Sequence, residues 1–176
     1  MRRLGDSEGG AALATEKGKR QRAAALEKVI AFLLTEGLED TGLRRLAQAA
    51  GTSDRMLVYY FGSKDALLRE AFAALSDALV EKLDAQFPLA NYGPKKLKRI
   101  SLTLAEDPQA LGTLKLWFEL LGRALREGAP LKPQALQLAM RWESWLEGKL
   151  PEGRKGEAPT LFGEIEGALL LYCLKH

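Results

Sequence analysis

Apolar residues recur along this chain at intervals of three and four, the spacing that gathers side chains on one face of an α-helix. From about Gly18 to Glu36, Leu26, Val29, Ile30, Leu33 and Leu34 keep that register, and Gly37 supplies a C-cap. Leu43, Leu46, Ala47 and Ala50 mark a short second helix ended by Gly51. Ser53 can cap a third helix running to about Phe61. Ser63 can cap a long fourth, whose stripe is Leu67, Leu68, Ala71, Phe72, Leu75 and Leu79.

Breakers divide the remainder. Pro88 ends the fourth helix, and Gly93-Pro94 opens a fifth with Lys95, Lys96, Lys98 and Arg99 near its start. Asp107 followed by Pro108 is an N-cap with proline at the first helical position, and that helix should run to about Glu127. Lys132 to Leu150 makes the next, and after the loop PEGRKGEAP a last helix runs from about Thr160 to Leu174. No stretch alternates with β-branched residues, so strands are not expected. Residues 1–15, rich in glycine and small side chains, read as a mobile tail. The expectation is an all-α chain of eight or nine helices.

Composition narrows the class. Apolar residues make up 47% and charged residues 28%, the balance of a soluble globular protein. The apolar run Ala168 to Leu174 is too short to span a membrane, and nothing behind Arg2 and Arg3 looks like a signal peptide. The single cysteine, Cys173, cannot form an intramolecular disulfide, which suits a reducing cytoplasm. The single histidine, His176, is the last residue of the sequence, so neither a zinc cluster nor a serine–histidine pair is expected. No cofactor and no catalysis are expected. The net charge of +3 identifies no partner, although Lys17, Lys19, Arg20 and Arg22 crowd the first helix and could form a phosphate-seeking arm.

The informative stretch is Leu43–Leu68, LRRLAQAAGTSDRMLVYYFGSKDALL. Two short helices meet at Gly51, where a tight turn favours a residue without a Cβ, and Ala47 and Ala50 allow the close crossing of a helix-turn-helix. At 100° per residue, Met56, Leu57, Tyr60 and Phe61 fall on one side of the second of these helices. Asp54, Arg55, Val58 and Tyr59 fall on the other. The first set suits a small core, and the second suits a major groove.

This order of residues resembles the N-terminal signature of the TetR family of transcriptional regulators over roughly residues 22–75. Helix, glycine turn, serine cap, aromatic-Phe, Ser-Lys and Leu-Leu all occur in register. The resemblance implies a three-helix DNA-binding head, here 16–62, and a helical effector-binding and dimerisation body, here 63–176. It implies that Arg44 reaches a base edge or phosphate and that Ser53, Asp54, Arg55 and Tyr59 line the groove-facing helix. Lys64 would bind phosphate beside free helix amides. The chain departs from the family at Val58, where a tyrosine is usual, so Tyr59 or Tyr60 would have to supply its hydroxyl. It departs again at Gly42, where Ser or Thr commonly caps the second helix; either Thr41 takes that role or the cap is weak.

A two-turn reading helix needs a second copy for selectivity, so a homodimer on palindromic double-stranded operator DNA is expected. Leu138, Trp142, Trp145, Leu146 and Leu150 cover a wide arc of their helix. Gly163, Gly167, Leu170 and Leu174 form a second apolar face on the last helix. Leu138, Trp142, Trp145 and that second face are the expected dimer seam. Phe72, Leu75, Leu79, Trp117, Phe118 and Leu121 are the expected pocket, with a largely apolar small molecule as effector. The competing reading is a helical dimer that senses ligands or binds proteins without binding DNA.

Overall fold

In the computed structural model, the described backbone comprises residues 7–39, 41–128 and 131–176, with side chains from Glu16 onward. Eight α-helices and two short 3-10 turns account for the secondary structure of these residues, and no strand occurs among them. The helices are α1 (Ser7–Glu36), α2 (Leu43–Ala50), α3 (Asp54–Phe61), α4 (Lys64–Gln86), α5 (Pro94–Thr103), α6 (Pro108–Glu127), α7 (Leu131–Lys149) and α8 (Ala158–Cys173). Helix α1 begins inside the segment read as a tail. Ala11, Ala12, Leu13 and Ala14 are strong helix formers and outweigh the two glycines before them. Residues 1–6 lie outside the described part.

The chain forms two compact units. The first, here the head, holds the chain up to Leu33 together with Glu39–Ala71; the second, the body, holds Leu34–Leu38 and Phe72–His176. In the head, Ala25, Val29 and Leu33 of α1, Leu46, Ala47 and Ala50 of α2, and Leu57 and Phe61 of α3 are buried with Leu67, Leu68 and Ala71 of α4. Gly51 closes α2 in the left-handed region at φ +69°. The Thr52 amide donates to the carbonyl of Ala47 across 2.9 Å, so two orphaned carbonyl groups at the helix end find partners. Gly42 stands at the N-cap of α2 in an extended conformation and has no side chain with which to cap the helix.

In the body, the second half of α4 packs with α5 to α8. Leu83, Phe87, Leu97, Leu146 and Leu150 are almost fully buried at the centre of its core. Asp107 caps α6 by accepting from the Ala110 amide at 2.8 Å, and it also pairs with Lys82 of α4 at 2.9 Å. Both contacts hold its carboxyl below the ordinary range, the backbone hydrogen bond most. Lys149 binds the Phe87 carbonyl at 2.7 Å and Asp84 at 2.8 Å, tying the end of α7 to the end of α4. Chain passing through 37–38 is clamped to α6. Gly37 takes φ +74°, the Leu38 amide donates to both carboxylate oxygens of Glu119, and Arg123 donates to the Leu38 carbonyl at 2.7 Å.

Candidate nucleic-acid interface and ligand cavity

Helix α3 divides as its periodicity predicts. Leu57 and Phe61 are buried in the head's core and Met56 is half-buried. On the opposite side Asp54 and Arg55 are exposed, with Val58 at 41% and Tyr59 at 78% exposure. Tyr59 stands outside the head's core, its ring centre 5.8 Å from that of Tyr60. Ser53 caps the helix through its Oγ, which accepts from the Met56 amide at 3.3 Å. Arg44 is exposed near the start of α2. Lys64 opens α4, where Ser63 Oγ accepts from the Ala66 amide at 3.1 Å.

Two side chains serve the head rather than its surface. Tyr60 is half-buried, and its hydroxyl donates to Gln21 Oε1 of α1 at 3.4 Å. Arg22, read from sequence as part of a basic arm, is occupied internally. Its Nε donates to the Tyr60 carbonyl at 2.9 Å, it pairs with Glu70, and its guanidinium lies 4.5 Å from the centre of the Phe61 ring. One arginine thereby ties α1 to the end of α3 and the start of α4. Lys19 pairs with Glu16 on its own helix.

The body contains a cavity of about 700 Å³ of empty space, part of it open to solvent. Phe72, Leu75, Leu79 and Trp117 are among the residues lining it. Phe118 and Leu121 are not: Phe118 packs against the core, and Leu121, half-buried, lies a turn beyond Trp117 outside the lining. Leu138, Trp142 and Trp145, expected from the sequence at a seam between two copies, also line this cavity. Trp145 is fixed there by an edge-to-face contact with Phe87, 5.9 Å between ring centres, and by donating to Asp84 at 2.9 Å.

Polar groups interrupt the apolar wall at few points. Ser76 of α4 and Ser101 of α5 are buried, at 6% and 3% exposure, and neither hydroxyl has a hydrogen-bond partner. Thr113 is satisfied by the Gln109 carbonyl at 3.2 Å. Among the described residues, Glu166 of α8 is the one ionisable carboxylate or amine in the lining; its Oε1 accepts from Trp117 Nε1 at 2.6 Å. Burial pushes its carboxyl above the ordinary glutamate value, and the Trp117 hydrogen bond only partly opposes this.

Residues 30–71 match the family described as bacterial regulatory proteins, tetR family. The head therefore carries a segment similar to the DNA-binding part of that family. Two crystal structures resemble most of the chain. One is of a candidate transcriptional regulator from Streptomyces coelicolor A3(2), 25% identical, with a TM-score of 0.68 over 86% of each chain. The other is of a candidate TetR-family transcriptional regulator from Rhodococcus sp., 21% identical, with a TM-score of 0.69 over 89% of each chain; that likeness concerns the fold. No curated protein matches the chain in sequence. The protein is a DNA-binding transcriptional regulator with a TetR-like all-helical fold.

The outward faces of α7 and α8 both carry exposed apolar residues. Leu136 and Met140, one turn apart, are the exposed apolar residues of α7. On α8, Gly163 and Gly167 are exposed with open space around them, and Leu170, Leu171 and Leu174 are exposed beyond. No described helix is long and apolar enough to cross a membrane, and no group of three metal-binding side chains occurs among the described residues.

Proposed function

We propose that the protein is a repressor that binds a palindromic operator as a homodimer and leaves it when a small molecule fills the body cavity. The observation carrying this reading is the division of α3, with Leu57 and Phe61 anchored below while Asp54, Arg55, Val58 and Tyr59 stand in solvent. In this reading Arg44 and Arg55 contact bases, Ser53 and Asp54 lie at the amino end of the reading helix, and Tyr59 reaches the backbone in place of the tyrosine that Val58 displaces. Lys64 binds phosphate with the help of the free amides at the start of α4. Tyr60 is a weaker candidate, since its hydroxyl already meets Gln21.

Two heads are needed because eight residues of α3 read too few bases for selectivity. The exposed face of α8, with Leu136 and Met140 of α7, supplies apolar surface for pairing, and small residues at 163 and 167 favour close approach of a second helix. Effector control then follows from differential affinity. A ligand that binds better to the state with misplaced reading helices draws the population toward it. A gel-shift assay with genomic fragments over a salt series tests the reading. Binding that weakens steeply and linearly on a log–log plot is the expected result. Absence of any bound fragment at low salt contradicts it and favours a sensing module that does not bind DNA.

A further inference from the structure

From the cavity lining we infer that the ligand is a lipophilic monocation: an aromatic or aliphatic body carrying a single amine that meets Glu166 among the indoles of Trp117, Trp142 and Trp145. The inference rests on reading the cavity as the effector site and specifies what enters it.

A carboxylate taken out of water is costly unless a positive charge or several donors accompany it. Glu166 receives one donor, the Trp117 indole on Oε1, and neither lysine nor arginine lines the cavity among the described residues. A ligand cation supplies the missing charge. Indole faces attract the same charge through their electron-rich rings, most strongly where water is excluded. An anionic ligand meets repulsion from the carboxylate and no compensating cation.

The two serine hydroxyls call for a polar group on the ligand and can serve an amine. Ser76 and Ser101 are more than nine-tenths buried, lack partners, and border the cavity on α4 and α5. Leaving buried hydroxyls unpaired is unfavourable, and each can accept a hydrogen bond from an ammonium N–H. The aromatic and leucine walls receive the remainder of the ligand.

A matched series of 3-phenylpropylamine, 3-phenylpropanol and 3-phenylpropionate tests this on the unaltered full chain at neutral pH. The three differ mainly in the charge of one end. Tryptophan fluorescence or calorimetry should show the amine binding tightest and the carboxylate weakest, with the amine ahead of the alcohol by about tenfold. Glu166→Gln should remove most of that advantage, bringing the amine down toward the alcohol. Equal binding of amine and alcohol, tighter binding of the carboxylate, or no binding of any of the three overturns the inference, whether or not the variant folds. A series ordered by charge that fails to release bound DNA supports the cavity chemistry and contradicts the effector reading.

Discussion

The indole N–H of Trp117 donates to Oε1 of Glu166 across 2.6 Å, joining α6 to α8 at the cavity wall. Because burial raises the Glu166 carboxyl, the folded protein favours its neutral form more than the unfolded chain does. The contribution of this group to stability is therefore full below the ordinary glutamate pKa and is lost as pH rises through the elevated folded value. Glu166→Gln keeps an acceptor for Trp117 but cannot ionise. Melting temperatures of both proteins across the acidic to neutral range should converge at low pH, with the variant gaining relative to wild type as pH rises. Asp84 and Asp107, whose carboxyls are lowered by their hydrogen bonds, act in the opposite direction in both proteins and cancel from the difference. A difference independent of pH would mean that Glu166 is not desolvated.

Gly37→Ala should destabilise the body. The backbone there sits at φ +74°, and a Cβ would lie 2.7 Å from Glu119 Oε2, an atom already accepting from the Leu38 amide. The cost should exceed ~1 kcal/mol, because both strain and displacement of that carboxylate contribute. Chemical denaturation reads it directly. A neutral or stabilising Gly37→Ala would show that the Glu119 clamp on Leu38 does not form.

Gly167→Leu separates the two possible roles of the exposed face of α8. In the single chain Gly167 is exposed and a Cβ there meets nothing within 4 Å, so alanine leaves the body's own packing undisturbed. If the face were simply solvated, Gly167→Ala would gain up to about 1 kcal/mol through helix propensity and leave the assembly state unchanged. With a second copy against it, Gly167→Leu should shift sedimentation toward monomer, and DNA affinity should fall with it. A fully dimeric Gly167→Leu protein would move the seam elsewhere.

These residues also show how far the sequence was legible. The head was readable because α3 is short and its large apolar residues leave a single burial solution, with Leu57 and Phe61 inward and Tyr59 outward. Helix α7 was not, because its apolar residues cover too wide an arc for periodicity to set the phase. The cavity's demand for Trp142 and Trp145 turned Leu136 and Met140 outward. Arg22 was hidden for a different reason: its partners Tyr60, Phe61 and Glu70 lie far along the chain, and a basic cluster looks alike whether solvated or paired. Glu166 did leave a signal. It lies four residues after Phe162 and three before Leu169, an acidic side chain in phase with the apolar stripe of α8.

Substitutions in the head should divide by what each side chain touches on DNA. Lys64→Ala should weaken binding similarly on every sequence and lower the salt-dependence slope by ~0.9 for each phosphate left without its lysine. Arg44→Ala and Arg55→Ala should instead relax preference at one position per half-site, each losing about 1–3 kcal/mol of discrimination if bidentate to guanine. Binding titrations on a panel of single-base variants distinguish the two patterns. A change of base preference in Lys64→Ala, or an unchanged preference in both arginine variants, would reverse these assignments.

The central claim is that this chain reads DNA sequence through paired copies of α3, and selection of bound sequences from random double-stranded DNA tests it most directly. One enriched palindrome is the predicted result, its half-sites separated by about one turn of duplex or a small multiple of it. Enrichment should vanish for a protein carrying Arg44→Ala, Arg55→Ala and Lys64→Ala together. Recovery of no preferred sequence, or of an equally strong motif by the triple variant, would contradict it.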